Sequence, residues 1–296
     1  GGSGSLLEHI ELRYSGNGGL IFSNSSATEI RNATFEHNAE GALHYLNSDN
    51  NKISDAIFKS NSTTQSLQFE NKNGYTDTYE HAAGLTLYRS DNNLVESSTF
   101  SENSGSQGAS GVCVGGEGNT FRDLTFEKNK DRTVFMRCSG DSPKKTSIYS
   151  SSFVNNESQA LYLSYADDSV IADSSFLQGD TDAVEIRYSS NTLLSNLVVS
   201  ENKGRGIYLY DNDQNNALGD GVTVRDSLIS KNRQGGIRLR GYGHRVLDSE
   251  ISQNSGNNWD QSGMYINYHD TSRVLVSNVL FQGNTNSYSI VAAGLL

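Results

Sequence analysis

The sequence predicts an all-β solenoid, a chain wound into stacked coils of short strands, and three observations support this fold class. A large apolar residue followed three positions later by Asn recurs along the 296 residues with a base period of 22 to 23. Short runs of alternating apolar residues lie between these positions, separated by turns rich in Gly, Asn, Ser and Asp. One proline and an apolar share of 34% fit a thin core that stacking completes.

We call the large apolar residue of this pattern the anchor; it is usually Phe, with Asn three positions further on. Leu12 begins the series, and Phe176 is followed by Gly179 in place of Asn. Successive anchors lie 23, 23, 42, 26, 27, 23, 23, 30, 22 and 30 residues apart, so insertions interrupt a constant unit. In parallel coils we expect the anchors to stack as an internal column and the Asn residues as an amide ladder. The pairs are Phe35/Asn38, Phe58/Asn61, Phe100/Asn103, Phe126/Asn129, Phe153/Asn156, Val199/Asn202, Ile229/Asn232, Ile251/Asn254 and Phe281/Asn284.

Two further patterns supply the strands of each repeat. A small residue followed by alternating apolar positions comes after each anchor, as in residues 84–87 and 206–209, and is typical of a strand with one buried face. An apolar pair such as Val222 and Val224 precedes each anchor. Each repeat therefore contains two or three short strands, which cannot bury a face alone, so the coils must stack to form a core.

These repeats resemble the coils of the pectate-lyase-like superfamily from Leu6 to about Ile290. The resemblance implies a right-handed parallel β-helix of about 11–12 coils. The chain shows no linker or break in composition, so a single domain is expected over residues 6–296. Residues 1–5 are expected to be a flexible lead or a remnant of cloning. The segment near 70–82 breaks the alternation and is predicted to be a loop insertion. Leucine-rich repeats, the alternative of similar period, would show a regular Leu scaffold that the sequence lacks.

Residues between the inward apolar positions of the main strand should point outward, and parallel stacking should set them in columns. The exposed positions are expected to be mixed and partly apolar in the first half, and rich in Tyr, Glu and Arg from Tyr162 onward. One column is Ile21, His44, Thr86, Cys113, Phe135, Tyr162, Glu185, Tyr208, Arg238 and Tyr265. Its neighbour is Ser23, Leu46, Tyr88, Gly115, Arg137, Ser164, Arg187, Tyr210, Arg240 and Asn267.

The second half of this face has the composition of a binding surface for an acidic polysaccharide. Tyrosine rings offer flat apolar faces to sugar rings, and arginine forks bind carboxylate or sulfate groups through two hydrogen bonds. The alternative is that Tyr, Arg and Glu are simply favourable cross-strand neighbours on an exposed sheet. The residues expected to bind the polysaccharide are Tyr162, Tyr165, Arg187, Tyr188, Tyr210, Arg240, Tyr242, Tyr265 and Tyr268.

Whether this face is catalytic stays open, and three reaction types are considered. Hydrolysis needs two carboxylates ~5–5.5 Å apart for retention or ~6.5–9.5 Å for inversion. Elimination or C5 epimerisation needs a cation beside the uronate carboxylate and a group that moves a proton, for which Tyr208, Tyr210, His244 and His269 are candidates. The candidate catalytic residues are Asp182, Glu185, Tyr208, Asp211 and Arg238.

Short segments on this face resemble motifs of two enzyme families. Residues 181–184, 204–206 and 237–239 resemble the Asn-Thr-Asp, Gly-His-Gly and Arg-Ile-Lys motifs of polygalacturonases, with Arg205 at the His position. The C-terminal coils are similar to those of mannuronan C5-epimerases, although the Tyr-Gly-Phe-Asp-Pro-His signature is missing. These resemblances imply a secreted protein that acts on an acidic polysaccharide as a lyase, epimerase or hydrolase.

The alternative function is a non-catalytic module of a fibre, adhesin or surface layer. The apolar segment 290–296, which includes Leu295 and Leu296, suits end-to-end self-association or continuation into further domains of a longer chain. A net charge of −11 argues against nucleic acid as a partner. No stretch approaches the ~20 consecutive apolar residues of a membrane span.

No cofactor is expected from the sequence. The His, Cys and acidic residues show no spacing of a metal site, although Asp167 with Asp168 and the pair at Asp211 and Asp213 supply oxygen atoms of the kind that bind Ca²⁺. We expect these acids to be solvated turn residues. Cys113 and Cys138 are expected to be unpaired thiols, with a bridge between them as the alternative.

Overall fold

All regular structure in the described part of the chain is β-strand. The computed structural model describes residues 4–16, 18–64, 67–70, 76–79, 81–105, 108–137, 142–210, 221–258, 263–267, 274–285 and 290–293. None of these residues belongs to a helix with the length and apolarity needed to cross a membrane. The chain divides into two compact units, Gly1–Ser147 and Ile148–Leu296. A single domain over residues 6–296 stays a prediction.

Unit 1 contains three long parallel sheets, to each of which every coil contributes one strand, and a two-stranded parallel sheet of β9 and β15. The first sheet has the order β1-β4-β7-β13-β17, the anchor sheet β2-β5-β8-β14-β18 and the main sheet β3-β6-β12-β16-β19. The strands are β1 (Leu6–Glu8), β2 (Glu11–Arg13), β3 (Leu20–Ser23), β4 (Glu29–Arg31), β5 (Thr34–Glu36), β6 (Leu43–Leu46), β7 (Lys52–Ser54), β8 (Ile57–Lys59), β9 (Ser62–Thr63), β10 (Leu67–Glu70), β11 (Thr76–Tyr79), β12 (Leu85–Tyr88), β13 (Leu94–Glu96), β14 (Thr99–Ser101), β15 (Ser104–Gly105), β16 (Val112–Gly115), β17 (Thr120–Arg122), β18 (Thr125–Glu127) and β19 (Val134–Met136).

Unit 2 repeats the same three-sheet arrangement. The first sheet has the order β20-β23-β26-β29-β32-β35, the anchor sheet β21-β24-β27-β30-β33-β36 and the main sheet β22-β25-β28-β31-β34-β37. The strands are β20 (Ser147–Tyr149), β21 (Ser152–Val154), β22 (Leu161–Ser164), β23 (Val170–Ala172), β24 (Ser175–Leu177), β25 (Val184–Arg187), β26 (Leu193–Ser195), β27 (Val198–Ser200), β28 (Ile207–Tyr210), β29 (Thr223–Arg225), β30 (Leu228–Ser230), β31 (Ile237–Arg240), β32 (Arg245–Leu247), β33 (Glu250–Ser252), β34 (Met264–Asn267), β35 (Leu275–Ser277), β36 (Leu280–Gln282) and β37 (Ile290–Ala293).

The predicted internal column of anchors is confirmed within each unit. In unit 1 the ring centres of Phe35 and Phe58 lie 4.9 Å apart, and those of Phe58 and Phe100 lie 4.5 Å apart with nearly parallel planes. In unit 2 the rings of Phe153 and Phe176 stack at 4.6 Å. These side chains are at most 1% exposed, so the column forms the centre of the apolar core. The all-β parallel solenoid predicted from the period is therefore confirmed.

The predicted amide ladder is also confirmed. The side-chain Oδ1 of Asn61 accepts hydrogen bonds from the backbone N–H and the Nδ2 of Asn38, both at 3.0 Å. The Nδ2 of Asn38 also donates to the Leu12 carbonyl at 2.9 Å. Where Gly179 replaces the ladder Asn, its backbone N–H still donates to Asn202 Oδ1 at 2.9 Å. The ladder side chains thus satisfy polar groups on neighbouring coils.

A second buried ladder, which we did not predict, precedes the strands of the first sheet. Asn51 Oδ1 accepts from the Thr28 N–H at 2.9 Å, and Asn93 Oδ1 accepts from the Asn51 N–H at the same distance. In unit 2 His244 occupies the equivalent position, where its Nδ1 accepts from the Val222 N–H at 3.2 Å. Because Nδ1 accepts, the neutral ring carries its proton on Nε2, which lies 3.4 Å from the Arg240 carbonyl.

Left-handed residues make the tight turn between the first sheet and the anchor sheet. The turn begins with a φ of 50° at Asn32, 54° at Asp55 and 56° at Asp123. Asn and Asp tolerate this conformation better than other non-glycine residues, because their short polar side chains form local hydrogen bonds. The recurrence of Asn, Asp and Ser just before each anchor strand is therefore a turn signal, which turns the chain from one sheet to the next in every coil.

The outward face of unit 1 has the predicted register but not the predicted exposure. His44 pairs with Ile21 and Thr86, and Thr86 pairs with Cys113. Ile21 is 49% exposed, whereas His44, Thr86 and Cys113 are completely buried, so an exposed column is wrong here.

The chain on either side of the predicted insertion explains this burial. His81 is fully buried, with its ring centre 5.6 Å from that of His44. Glu40 accepts hydrogen bonds from the backbone and hydroxyl of Thr64 and lies 3.9 Å from His81 Nε2. Within the insertion, β10 and β11 pair antiparallel, and residues 71–75 and 80 lie outside the described residues. His81, after the insertion, therefore lies against the main sheet at His44, and Thr64, before it, is hydrogen-bonded to Glu40.

The state of Cys113 also differs from the prediction. Cys113 is disulfide-bonded, so the expectation of an unpaired thiol is wrong for this residue. The only other cysteine of the chain is Cys138, which lies outside the described residues. Spacing alone did not distinguish the two states, because a cysteine in an outward column can be solvated or covered.

Replacing Tyr45 by Phe should stabilise the protein by about 1 kcal/mol, because the buried hydroxyl has no hydrogen-bond partner. Tyr45 is 0% exposed and stacks on Phe22 at 5.0 Å, a contact that Phe preserves. Urea unfolding measures the change, and Tyr14→Phe, at a 74% exposed tyrosine, is the control expected to have no effect.

The same substitution should change the alkaline behaviour. Burial raises the pKa of Tyr45, so the unfolded chain loses this proton near pH 10 while the folded chain keeps it. The contribution of Tyr45 to the free energy of unfolding is therefore unchanged below pH 10 and falls above it. Tyr45→Phe should remove that part of the alkaline loss of stability. Equal or lower stability of the variant, with an unchanged alkaline slope, would contradict the assignment.

Candidate functional site

The outward residues of the main sheet in unit 2 form a continuous surface, which we call the tyrosine–arginine strip. The predicted register is confirmed along five strands, from β22 to β34. One column of the strip is Tyr162, Glu185, Tyr208, Arg238 and Tyr265, and the other is Ser164, Arg187, Tyr210, Arg240 and Asn267. Chain direction is therefore conserved from strand to strand, as the columns require.

Only part of the strip is open to solvent. Glu185 is 2% exposed, Tyr265 3% and Ser164 2%, so these three positions are buried although they point outward. The half-buried positions, which present polar or aromatic surface to a ligand, are Tyr162, Arg187, Tyr208, Tyr210, Arg238, Arg240 and Asn267.

Asp182 is bound by an arginine on the neighbouring coil. Arg205 donates from Nε to both carboxylate oxygens, at 3.1 and 3.0 Å, and from Nη2 to Oδ2 at 2.6 Å. The Arg205 backbone N–H adds a fourth bond at 2.7 Å. Burial opposes the charge of Arg205, but the hydrogen bonds and charge of Asp182 raise its pKa overall. The guanidinium also lies 4.1 Å from the ring centre of Tyr208, which fixes that ring.

Glu185 is likewise held by its neighbours. Its carboxylate accepts hydrogen bonds from Arg187 Nε and from Gln159 Nε2. Burial lowers the pKa of Arg187, but the hydrogen bond and charge of Glu185 outweigh this effect and raise it. The Arg187 guanidinium lies 5.5 Å from the Tyr162 ring centre and 5.7 Å from that of Tyr210. This coil therefore carries a neutralised ion pair between tyrosine rings.

The two arginines of β31 pack against aromatic rings. The Arg238 guanidinium lies 5.4 Å from the ring centre of Tyr208 and 5.5 Å from that of Tyr265. The Arg240 guanidinium lies 4.8 Å from the ring centre of Tyr210. The Nε of Arg240 is buried and has no hydrogen-bond partner, and no described carboxylate forms an ion pair with this residue.

A row of tyrosines borders the strip. The rings of Tyr165 and Tyr188 stack at 5.1 Å, and Tyr188 meets Tyr210 edge to face at 5.5 Å. Tyr165 and Tyr188 have φ values of 55° and 49°, a conformation that is uncommon for bulky residues. Burial and a hydrogen bond with Tyr210 raise the pKa of Tyr188. The left-handed residue that follows β22 and the one that follows β25 thus place their tyrosine rings beside the strip.

The structure brings most of the predicted site residues onto one surface. Tyr242 and Tyr265 are buried, and His244, a candidate for proton transfer, is only 1% exposed. Asp211, Tyr268 and His269 lie outside the described residues. Each of these assignments as a binding or catalytic residue stays a prediction.

Sequence reasoning missed two partners of the site carboxylates, Arg205 and Gln159. The signal for the first was available, because Arg205 follows Asp182 by 23 residues, the base period of the repeat. Residues one period apart lie side by side on neighbouring coils.

The described residues contain no group of three or more His, Cys, Asp or Glu side chains arranged to hold a metal ion. Of the two acids considered for Ca²⁺ in the turn after β22, Asp167 accepts hydrogen bonds from the backbone and hydroxyl of Ser190 at 2.8 and 2.9 Å. Asp168 accepts from Asn191 Nδ2 at 2.6 Å. These carboxylates therefore link neighbouring coils.

Fold and site together define a parallel β-solenoid with an aromatic and cationic outward face. The chain belongs to the family described as "Right handed beta helix region", which matches residues 1–107 and 83–245. No curated protein matches the chain significantly.

Solved structures similar to this chain share its fold at low sequence identity. The Dettilon tailspike protein has a TM-score of 0.55 and 12% identity over 96% of this chain and 57% of its own. PfbA, a surface adhesin of Streptococcus pneumoniae, has a TM-score of 0.52 and 14% identity over 91% and 63%. The A-module of mannuronan C-5 epimerase AlgE6 from Azotobacter vinelandii has a TM-score of 0.52 and 10% identity over 93% and 80%. The chain thus spans about three fifths of the first two proteins.

Proposed function

We propose that this protein binds an acidic polysaccharide along the tyrosine–arginine strip, outside the cell. One observation carries the proposal: half-buried tyrosine rings and arginine guanidinium groups pack against each other on successive strands of one outward face. Rings of this kind stack on sugars, and the guanidinium groups bind carboxylate or sulfate. The similar solved structures include a surface adhesin and a mannuronan epimerase, which supports a polysaccharide ligand and an extracellular location for this chain.

Replacing Tyr208 by Ala should weaken retention on an acidic polysaccharide column several-fold. The ring contacts Arg205 and Arg238 in addition to forming exposed surface, so its loss removes a stacking platform and loosens two cations. Elution from immobilised alginate, polygalacturonate and hyaluronan measures the effect. Tyr149→Ala, in the first sheet and away from the strip, is the matched control. If Tyr208→Ala is retained as strongly as the wild type on every column that binds the wild type, the tyrosine–arginine strip is not the binding surface.

Hydrolysis by a carboxylate pair would depend on Asp182 and Glu185, the two candidate carboxylates that the structure describes. Both oxygens of each carboxylate already accept hydrogen bonds, from Arg205 for Asp182 and from Arg187 and Gln159 for Glu185. We therefore expect binding without hydrolysis by this pair. The same polysaccharides, incubated with the protein and assayed for new reducing ends and unsaturated sugars, test this expectation, and new reducing ends without unsaturated sugars, above a protein-free control, would restore the catalytic assignment of Asp182 and Glu185.

A further inference from the structure

Aromatic and charged strands alternate along the tyrosine–arginine strip. Strands β22, β28 and β34 place tyrosines on the outward face, while β25 and β31 between them place charged side chains there. Strands of neighbouring coils lie ~4.8 Å apart, so equivalent strands in this alternation recur every ~9.6 Å. That distance is comparable to the length of two linked hexopyranose rings, so a glycan over β22 and β28 meets half-buried tyrosines two sugars apart. Tyr265 on β34 is 3% exposed and takes no part in this contact.

The two charged strands are not equivalent. On β25, Glu185 is buried and hydrogen-bonded by Arg187, so the outward positions of that strand carry no net charge. On β31, Arg240 forms no ion pair with a described carboxylate, and the strand contains no acidic residue. Arg240 therefore supplies an uncompensated positive charge to the described strip.

The geometry of β31 prepares it for a single anion. Arg240 is held against Tyr210, and its buried Nε is a donor without a partner. Because a planar guanidinium packed on a ring has few orientations to lose, its remaining N–H groups are preorganised for a planar acceptor with two oxygens. A carboxylate or a sulfate placed over β31 would accept hydrogen bonds from these remaining N–H groups, and a neutral sugar offers them no charged acceptor.

We propose, on the basis of the proposed function, that the strip recognises a sparsely charged glycan: one acidic group binds at Arg240, and neutral sugars lie over the half-buried tyrosines of β28 and β22. A polymer with an acidic group on every sugar gains little from its additional charges here. Two coils from β31 its carboxylates meet the neutralised pair on β25, and the net charge of the chain, −11, repels the rest. Charge density is therefore the property of the ligand that Arg240 selects.

Isothermal titration tests this proposal with oligosaccharides of equal length and different charge density. Gellan fragments carry one carboxylate in four sugars, hyaluronan fragments one in two, and oligogalacturonates one on every sugar. We expect gellan fragments to bind at least as tightly as oligogalacturonates. The slope of log Kd against log NaCl concentration should be at most about one, because the site forms a single ion pair with the ligand.

Two variants locate the anion. Arg240→Gln should weaken binding of the best ligand about 10-fold and flatten its salt dependence, because one charge-assisted contact is lost. Arg225→Gln, at an arginine of β29 that lies off the strip, should change neither quantity.

The outcomes separate this proposal from the one on which it depends. Oligogalacturonate binding more than 10-fold tighter than gellan, a salt slope of two or more, or an unchanged affinity of Arg240→Gln would each overturn the single-anion site and leave polysaccharide binding intact. Absence of binding to all three glycans would overturn both proposals.

Discussion

Lowering the pH from 7 to 4 should cost the wild-type protein about 3 kcal/mol more stability than it costs a His244→Asn variant. His244 is 1% exposed and occupies a position where unit 1 has the ladder residues Asn51, Asn93 and Asn119. Asn supplies the same kind of acceptor for the Val222 N–H without titrating. The substitution therefore removes the protonation while it retains the hydrogen bond.

The sign follows from the two protonation states of His244. Burial lowers its pKa from the ordinary 6.5 to about 4, although the hydrogen bond to the Arg240 carbonyl opposes the shift. Between pH 6.5 and 4 the unfolded chain binds a proton at His244 that the folded chain excludes. The contribution of His244 to the free energy of unfolding is therefore fully present above pH 6.5 and is lost as the pH falls. Protonation would also place a hydrogen on Nδ1, which accepts from Val222.

Urea unfolding of both proteins at half-unit steps from pH 7 to pH 4 measures the difference. His44, whose pKa is lowered to about 3 by burial and by the neighbouring His81, titrates in both proteins and cancels in the comparison. The carboxylates of the chain cancel in the same way. Parallel stability curves for the two proteins over this range would refute the assignment.

Replacing Asn232 by Ala should destabilise the protein by on the order of 3–5 kcal/mol, the largest effect of a single side chain that we expect. Its Oδ1 accepts from the backbone and Nδ2 of Asn202 at 3.2 and 2.8 Å. Its Nδ2 donates to the Val199 carbonyl and to Asn254 Oδ1, both at 3.0 Å. Since Asn232 is fully buried, water cannot replace these partners in the variant.

The matched control is Asn284→Ala, which removes the same side chain from the same ladder at a half-buried position. Asn284 accepts from the Asn254 N–H at 3.0 Å and donates to the Ile251 carbonyl at 2.8 Å, but solvent reaches this residue. We expect a loss of about 1 kcal/mol there. The comparison uses urea unfolding at pH 7, and equal losses for the two variants would show that burial of the ladder is not what makes it stabilising.

The repeat made the fold and its register predictable from the sequence. Because Phe35 and Phe58 are one period apart and parallel coils preserve position, the column of anchors and the outward columns follow directly from the spacing. The Asn ladder was predictable for the same reason, since each Asn lies three residues beyond an anchor.

Contacts that depend on insertions or on side-chain choice were not predictable. Nothing in the period indicated that His44, Thr86 and Cys113 are buried, or that His81 beside the insertion lies against His44. The ion pair between Glu185 and Arg187 was not foreseen either, because both are outward residues of one strand and Arg187 could equally have faced solvent. The sequence thus specified columns, whereas burial and pairing within a column depend on three-dimensional contacts that the period does not encode.

The ladders of hydrogen bonds between neighbouring coils have a consequence for how the chain folds. Asn38 bonds to a residue 23 positions away, Asn232 to one 22 positions away and Asn61 to one 42 positions away, so each added coil closes a loop of about one or two repeat lengths. Loop-closure entropy depends weakly on length, and every later coil finds a preformed edge to dock on. Within each unit the slowest event should therefore be the formation of the first pair of coils, after which growth proceeds by templated addition in both directions.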